Sequence, residues 1–382
     1  MPMQVAVMKK DLLRVVARCQ GVADKKSTMP VLGNVLIEVD GPDTVKLAAT
    51  DLNLAVSGRI GAEVAKGGSI AVGARDIFER VKMMPEGQLT IVTNDGGSAT
   101  IRASSSARRY TLHGIPGEEF PAIPQPDANA PMLSLPIESL ALLIARTHFS
   151  ISTDDTRLHL ASALFEWEGN RLRMVTTDGH RLSKMELTAA GKSANASMLI
   201  PLKGIQELRR LCDEARSEPK SDGAEAPQEL TLIQSGPNAF FKLPGLQFSV
   251  KLVDAQFPPY AQVIPPSAER TIVAPRLALA DALRAVSIAA SDRTGGVKLT
   301  LTRGTMRFSS ESPDSGEGFD EVPVEYEGGE MTLGFNARYF LDVLSSLDEE
   351  KVVIGVGGEL DPVVIRSQAT DNYLAVVMPM RI

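Results

Sequence analysis

Two strand–helix motifs each recur three times along this chain of 382 residues. In both motifs a short apolar strand runs directly into a helix whose apolar residues are spaced three and four apart. The first motif occupies residues 5–20, 132–147 and 271–289, and the second occupies residues 69–84, 198–212 and 331–347. A repeat of about 130 residues is the size of a domain that buries its own core, and it is too long for a solenoid unit. The sequence therefore predicts three similar domains, at residues 1–127, 128–258 and 259–382.

Between the helices the pattern predicts strands. Residues 36–39, 45–48 and 54–57 alternate in hydrophobicity with period two, and a turn signal at 41–43 separates the first two. The second and third repeats show the same alternation. Each repeat is therefore predicted to be an α+β domain with two helices and about eight strands in antiparallel hairpins.

The joints and insertions can also be located. Proline-rich stretches at 120–126 and 257–260 end the first two repeats and are predicted to be extended and stiff. The polar segments 214–229 and 313–318 are predicted to be loosely held surface insertions.

Composition excludes several classes of protein. The chain has no run of about 18 apolar residues and no basic-then-apolar leader, so we expect a cytoplasmic protein without membrane contact. The four histidines are dispersed, and the two cysteines lie in predicted helices as small core residues, which gives neither a metal-ligand spacing nor a disulfide framework. The glycine pairs at 67–68 and 295–296 lack the lysine and hydroxyl residue of a phosphate loop. We therefore expect no metal and no cofactor.

Charge is segregated by structural element. The net charge is −7, yet the six predicted helices carry 14 Lys and Arg residues against 7 Asp and Glu, which leaves −14 on the rest of the chain. Basic helices attract a polyanion such as nucleic acid, whereas an acidic remainder repels it. The alternative is chance, with lysines and arginines that only solvate the helix surfaces.

The segment Thr176–Leu182 is the part of the chain that looks most like an active site. An Asp beside a His is compatible with acid–base catalysis, so one alternative is a hydrolase or transferase built around Asp178 and His180. No serine or cysteine nucleophile context accompanies the pair, and Asp-Gly is first of all a turn signal. The first repeat carries a matching Thr50–Leu52. The sequence therefore favours a repeated structural turn over a unique active site.

Several motifs, spread over the whole chain, together resemble the beta subunit of bacterial DNA polymerase III, the DNA sliding clamp family. They are Pro30–Asn34, Thr177–Leu182, Phe257–Tyr260, Gly334–Leu344 and Met378–Arg381. The resemblance implies a head-to-tail homodimeric ring of six domains, with helices inside and sheets outside. It also implies that the chain catalyses no reaction and acts as a processivity factor, tethering the replicative polymerase to double-stranded DNA without sequence specificity.

Helix dimensions agree with a dimer. Helices packed side by side lie about 9 Å apart, so six of them closed into a circle leave roughly 7 Å clear once a helix diameter of about 10 Å is subtracted. Twelve helices from two chains leave roughly 24 Å. Duplex DNA, about 20 Å wide, passes only through the larger opening.

The resemblance implies three sets of functional residues. Basic residues expected to face DNA phosphates, most of them at positions that are basic in the family, are Arg14, Lys25, Lys26, Arg75, Lys82, Lys203 and Arg210. The family pocket for short apolar peptides corresponds to Arg157, Leu160, Thr177, Gly179, His180, Arg181, Leu182, Pro258, Val263, Asn336, Tyr339, Val376, Met378, Pro379, Met380 and Arg381. The dimer interface would join the strand around Tyr110 and Leu112 to the helix end at Ile288, Ala289 and Ala290.

The implied partners are a second copy, double-stranded DNA, the DNA polymerase III catalytic subunit, the clamp loader, and other polymerases and repair proteins that carry short apolar motifs. This sequence departs from the family pattern at His159, where tyrosine is often found, and at Ala261-Gln262, where arginines are common. A second alternative is a monomeric scaffold that binds peptides and never contacts DNA.

Overall fold

The computed structural model describes residues 2–191, 194–217, 228–290, 295–313 and 316–381. The first third of the chain contains β1 (Gln4–Met8), α1 (Lys9–Val22), β2 (Asn34–Val39), β3 (Thr44–Thr50), β4 (Leu54–Lys66), β5 (Ser69–Gly73), α2 (Ala74–Lys82), β6 (Gln88–Thr93), β7 (Ser98–Ala103) and β8 (Arg109–Pro116).

The second third contains β9 (Met132–Pro136), α3 (Ile137–Thr147), β10 (Ser162–Gly169), β11 (Arg171–Thr177), β12 (Arg181–Thr188), β13 (Ala190–Gly191), β14 (Ala194–Pro201), α4 (Leu202–Ser217), β15 (Glu229–Ser235), β16 (Asn238–Leu243) and β17 (Leu246–Lys251). The last third contains β18 (Arg270–Pro275), α5 (Arg276–Ser287), β19 (Gly296–Thr302), β20 (Thr305–Ser312), β21 (Gly316–Pro323), β22 (Met331–Asn336), α6 (Ala337–Ser346), β23 (Lys351–Val356), β24 (Val363–Ser367) and β25 (Tyr373–Val377).

The predicted α+β repeat is confirmed by these elements. In the described part of the chain, every third has two helices, and the first and last thirds have eight strands each. The middle third has a ninth, the two-residue β13. The first helix of each third is anchored in the same way, because its first N–H donates to the carbonyl of the residue just before β6, β15 or β23. These bonds are Lys9 to Gly87 (2.9 Å), Ile137 to Gln228 (2.9 Å) and Arg276 to Glu350 (2.8 Å).

Two compact units result from the chain's internal contacts. Unit 1 comprises residues 1–138, 190–192 and 206–252, and unit 2 comprises residues 139–189, 193–205 and 253–382. Unit 1 holds one 13-stranded sheet in the order β1-β6-β7-β8-β5-β2-β3-β4-β17-β16-β15-β9-β13, with a further pairing of β1 to β4. Unit 2 holds an eight-stranded sheet, β14-β10-β11-β12-β25-β24-β23-β18, and a four-stranded sheet, β21-β20-β19-β22.

Each large sheet draws strands from two repeats. In unit 1, β4 of the first repeat pairs with β17 of the second, and in unit 2, β12 of the second repeat pairs with β25 of the third. The hydrogen-bonded units therefore divide the middle repeat, because backbone pairing continues from one repeat to the next. The boundaries predicted from the repeat, after residues 127 and 258, stay a prediction.

Helix α1 shows how the apolar pattern builds the core of unit 1. Leu12, Val15 and Val16 are buried, as their helical spacing predicts. Lys9 and Arg18 on the same helix are also buried, at only 8% and 5% exposed. Their charges are retained by ion pairs, which are described below. An alkyl stem can be buried while its charged end reaches a carboxylate, and sequence spacing alone does not show this.

Helix α4 is longer than predicted. It continues past residue 212 to Ser217, so the predicted loose segment 214–229 is helical at its start. The last residue of that predicted segment, Glu229, begins β15. Residues 218–227 of that segment and residues 314–315 of the second predicted insertion lie outside the described residues.

The two cysteines and the single tryptophan are core residues. Cys19, Cys212 and Trp167 are each 0% exposed. Burial raises the thiol pKa of each cysteine to about 12, so both thiols stay protonated and unreactive at neutral pH.

Candidate functional site

The turn between β11 and β12, here called the Thr177 turn (Thr177–Arg181), is closed by its own side chains. Thr177 Oγ1 donates to the Arg181 carbonyl (2.6 Å) and accepts from the Gly179 N–H (3.1 Å). Asp178 Oδ1 accepts from the N–H groups of His180 (2.9 Å) and Arg181 (3.1 Å). Gly179 has a φ of +94°, a left-handed conformation that suits glycine.

The turn between β3 and β4, here called the Thr50 turn (Thr50–Leu54), has the same bonds. Thr50 Oγ1 donates to the Leu54 carbonyl (2.8 Å) and accepts from the Leu52 N–H (3.0 Å). Asp51 Oδ1 accepts from the N–H groups of Asn53 (2.9 Å) and Leu54 (2.6 Å). Leu52 occupies the glycine position with a φ of +74°, the one non-glycine with positive φ among the described residues. The predicted repeated turn is confirmed, and the two Asp side chains serve to close it.

Arg181 is the electrostatic centre of the Thr177 turn. Its side chain is 9% exposed; Nε lies 3.0 Å from Asp178 Oδ2, and Nη1 lies 2.6 Å from Asp342 Oδ2 on α6. Nη2 donates to the carbonyl of Phe149. The guanidinium also lies 4.7 Å from the centre of the Tyr339 ring. One buried cation thus fixes the turn to α6 and to the loop after α3.

Aromatic and apolar groups surround this cation within unit 2. The ring of His180 stacks on Tyr339 with centroids 6.5 Å apart. The N–H of Met378, just after β25, donates to the His180 carbonyl (2.9 Å). The pKa of Tyr339 is raised mainly because the side chain is partly buried, and the nearby Asp178 carboxylate raises it further. Asn336 caps α6 by accepting from the Arg338 N–H (3.0 Å). The turn, the start of α6 and the C-terminal strand therefore meet in one place.

The remaining predicted pocket residues differ in burial, and three of them line separate clefts. Leu160, Leu182 and Val376 are buried, and Leu182 lies opposite Val376 in the β12–β25 pairing. The exposed or half-exposed residues are Arg157, Gly179, His180, Val263, Met378 and Pro379. Pro258 lines a cleft of about 750 Å³ with Tyr260 and Arg173, whereas Met380 and Arg381 line a cleft of about 830 Å³ with Phe319. Hydrogen bonds, ring contacts and strand pairing thus join part of the set at the Thr177 turn: Arg157, Thr177, Gly179, His180, Arg181, Leu182, Tyr339, Val376 and Met378. Pro258 and the neighbouring Met380 and Arg381 line two separate clefts.

The predicted DNA-facing residues differ in solvent exposure and in ion pairing. Lys25, Lys26, Arg75, Lys82 and Lys203 are exposed. Arg75 and Lys82 are seven residues apart on α2 and so share one face. Arg14 is partly exposed and its Nη2 lies 3.0 Å from Asp11 Oδ1.

Arg210 is held in place by ion pairs. Its Nη2 lies 2.5 Å from Glu207 Oε1, and its Nη1 lies 3.3 Å from Glu214 Oε2. Although burial opposes the charged form, the hydrogen bonds and charges of Glu207 and Glu214 raise the pKa of Arg210 overall. Its charge is therefore shared with two carboxylates on its own helix.

One basic position was missed by sequence reasoning. Arg75, Lys203 and Arg338 are each the second residue of the second helix in their repeat, in α2, α4 and α6. The Arg338 side chain is 82% exposed. The signal was present in the repeat, because aligning the three helix starts places a cation at this position every time.

The predicted dimer-interface residues differ in their solvent exposure. Ile288 is 81% exposed, whereas Ala289 and Ala290 are 7% exposed and Leu112 is 3% exposed within the single chain. Tyr110 is half-buried. Phe319 on β21, which the sequence did not single out, is 67% exposed.

The described residues also show what is lacking. Within them no cluster of three or more His, Cys, Asp or Glu side chains is placed to hold a metal ion. In the same ranges no helix has both the length and the apolar character to span a membrane.

Comparisons with known proteins match this chain from end to end. Family models of the DNA polymerase III beta subunit match in sequence order: the N-terminal domain at residues 3–124, the central domain at 134–259 and the C-terminal domain at 261–381. The chain belongs to the DNA polymerase III beta subunit family. The beta sliding clamps of Pseudomonas putida and Escherichia coli K12 are each 31% identical over 383 residues, with 100% of both chains covered. A crystal structure of the Pseudomonas aeruginosa DNA polymerase sliding clamp with ligand has a TM-score of 0.91 at 31% identity, also covering 100% of both chains.

Membership of the beta subunit family confirms the predicted function of DNA sliding clamp and the predicted three-domain fold. A sliding clamp is a processivity factor and catalyses no reaction, so the alternative of a hydrolase or transferase around Asp178 and His180 is wrong. The structure gives the physical reason: the Asp178 carboxylate accepts backbone N–H groups and the Arg181 guanidinium.

Proposed function

We propose that two copies of this chain close head to tail into a ring of six domains around duplex DNA. Two free strand edges support this assembly. Residues 109–113 of β8 pair on one side with β7, and the β5 pairing starts only at Gly114, so no described strand occupies the other side. Strand β21 ends the four-stranded sheet and pairs only with β20 among the described strands. Because the two edges differ, joining them gives a heterologous contact that a rotation can close.

The two edges have opposite charge. Arg109 begins β8 and Arg108 directly precedes it, whereas Glu317, Asp320 and Glu321 lie on β21. Antiparallel strand addition would bring the basic edge against the acidic one and cover Phe319. The dimer would thus depend on strand pairing, charge and one aromatic side chain, together with Ile288, since the alanines at 289 and 290 are already buried.

A charge swap tests this interface. Arg109→Glu should weaken dimerisation measured by concentration-dependent sizing, and adding Asp320→Arg should restore it. Arg303→Glu, at an exposed arginine that lies outside both β8 and β21 and pairs with Glu327, is the matched control. Equal behaviour of Arg109→Glu and Arg303→Glu would contradict the proposed edge pairing.

DNA contact is proposed to be electrostatic and independent of sequence. The observation that carries it is the exposed cation at the second position of α2, α4 and α6, that is, Arg75, Lys203 and Arg338. Repetition in each domain would place six such cations around the hole of a dimer, where they contact phosphates and do not read bases. The helices as the structure bounds them carry 15 basic and nine acidic residues, so they remain positive overall.

Removing these cations tests the DNA contact. The triple variant Arg75→Ala, Lys203→Ala and Arg338→Ala should bind DNA more weakly, with a shallower dependence of affinity on salt. A matched triple at Arg80, Arg209 and Arg303 removes the same charge. If both triples lose affinity equally, net charge and not this position governs binding. If neither affects loading on DNA, the peptide-binding monomeric scaffold is the better account.

The Thr177 turn is proposed to bind short apolar peptides from the DNA polymerase III catalytic subunit, the clamp loader, and other polymerases and repair proteins. The exposed Met378 and the stacked His180 and Tyr339 offer apolar contacts beside a fixed cation. His180→Ala should lower the affinity for a fluorescent apolar peptide. Asn53→Ala, at the equivalent place in the Thr50 turn, is the matched control and should bind like the unmodified chain.

Two further statements complete the proposal. A role in DNA replication accords with a cytoplasmic location. The domain boundaries after residues 127 and 258 are proposed as the joints between the three clamp domains. Limited proteolysis with mass measurement should cut near these joints; cuts confined to the middle of β4 or β12 would contradict them.

A further inference from the structure

A buried arginine occupies the same position in the first helix of the first two domains. Arg18 is the tenth residue of α1, and Arg146 is the tenth residue of α3. Their side chains are 6% and 8% exposed. Arginine is rarely buried without a charged partner, so the repetition points to a common partner.

That partner is a glutamate at one repeated position. Arg18 Nε lies 2.9 Å from Glu214 Oε1, and Arg146 Nη2 lies 3.1 Å from Glu349 Oε1. Glu214 is the thirteenth residue counted from the start of α4, and Glu349 is the thirteenth counted from the start of α6. The first pair therefore joins domain 1 to domain 2, and the second joins domain 2 to domain 3. We call these two ion pairs the domain clips.

Each clip is reinforced by a second donor. Arg210 Nη1 lies 3.3 Å from Glu214 Oε2 in the first clip. Ser367 Oγ donates to Glu349 Oε1 (2.7 Å) in the second. Burial works against the charged form of Glu349, yet the Ser367 hydroxyl, backbone N–H groups and Arg146 together lower its pKa. Glu349 is therefore bound as a carboxylate.

The third domain lacks the arginine. The tenth residue of α5 is Ala285, and it is exposed. Arg284 does not substitute for it, because one residue along a helix is a rotation of about 100°. Arg284 instead corresponds to Ala17 in α1 and Ala145 in α3.

The first domain nevertheless keeps the matching glutamate. Glu86 is the thirteenth residue counted from the start of α2 and lies two residues before β6, as Glu349 lies two residues before β23. The backbone bonds Lys9 to Gly87 and Arg276 to Glu350 confirm that these positions are equivalent. Glu86 Oε1 lies 2.7 Å from Lys9 Nζ, and the Glu86 side chain is 79% exposed. A carboxylate with this exposure can still accept from a second cation.

We propose that Ala285 of one copy faces Glu86 of a second copy at the head-to-tail seam, as a third clip site from which the arginine has been removed. This inference rests on the proposed ring, because only a second copy places domain 3 next to domain 1. The two junctions inside the chain are held by partly buried ion pairs, whereas the seam between copies has an alanine at that place.

Restoring the arginine tests the inference. In Ala285→Arg, a partly exposed ion pair with Glu86 should tighten each seam by about fivefold. A closed dimer has two seams, so its dissociation constant should fall by roughly 25-fold, and its lifetime on circular DNA should lengthen. Ala285→Gln is the matched control, since it adds a long polar side chain without charge.

A double-mutant cycle with Glu86→Gln identifies the partner. The gain from Ala285→Arg should vanish in the Glu86→Gln background. A gain that persists there, for example through Asp281 one turn earlier on α5, would overturn the proposal, as would equal dissociation constants for Ala285→Arg and Ala285→Gln. Unmodified chains that neither dimerise nor stay on circular DNA would instead contradict the proposed ring.

Discussion

Replacing Arg181 by methionine removes the cation on which the Thr177 turn depends. In the variant, the carboxylates of Asp178 and Asp342 both lose the guanidinium with which they form ion pairs. Breaking a buried ion pair costs about 3–5 kcal/mol of unfolding free energy. Because the Asp178 and Asp342 side chains are 16% and 30% exposed, water reaches them in part, and we expect the lower end, about 3 kcal/mol.

Differential scanning calorimetry should show this loss. For a unit of this size about 1 kcal/mol corresponds to a shift of roughly 2–4 °C in Tm, so the transition of unit 2 should fall by about 6–12 °C. Peptide affinity should fall with it, since His180 and Tyr339 lose their common support.

The matched control is Arg157→Met in the same pocket. Arg157 is 43% exposed in its side chain and pairs with Asp154 at 2.8 Å, so its loss should cost less than about 1 kcal/mol. If Arg181→Met lowers Tm no more than Arg157→Met does, the account of Arg181 as the centre of the site is refuted.

Three further predictions concern the two units separately. Gly58→Ala should destabilise unit 1 by about 1–3 kcal/mol, because the added Cβ would lie 2.8 Å from Val15 Cγ1. Gly61→Ala is the control and should not destabilise the unit, because no atom lies within 4 Å of its added Cβ. Equal unfolding free energies of the two variants in urea would contradict this close approach. Leu52→Gly should raise the unfolding free energy by up to about 1 kcal/mol by relieving its positive φ, and a loss of stability on urea unfolding would count against that strain. Since the pKa of Glu349 is lowered on folding, its contribution is present above the unfolded value of 4.5 and is lost as pH falls through the folded value. The unfolding free energies of the unmodified chain and Glu349→Gln should therefore differ at pH 7 and converge at acid pH, and a constant difference would argue against this linkage.

Much of the fold was predictable because its signals are local. Apolar residues at helical spacing located the six α-helices of the described residues, and period-two alternation located most of their strands. The Thr50 and Thr177 turns were predictable as a pair, because side-chain oxygens two to four residues from their backbone partners close them. Glycine was not required at the turn position, as Leu52 shows.

The features that sequence missed depend on distant partners. The burial of Arg18 depends on Glu214, which is 196 positions away, and a lone helical arginine gives no sign of it. Strand β4 pairs with β17, and β12 pairs with β25, so each pairing joins two different repeats. The sequence repeat alone would instead predict a separate sheet for each domain. Arg338 and the clip positions could have been found by aligning helix starts, because they share a place in the repeat and not a local motif.

We propose a ring whose two copies enclose duplex DNA and stay on it by topology. Its most direct test is to load the protein onto a closed circular DNA, separate the complex from free protein, and then cut the circle once with a restriction enzyme at constant salt. The account predicts that protein remains on the uncut circle and leaves the linear product by its ends, whereas equal retention before and after cutting would contradict it.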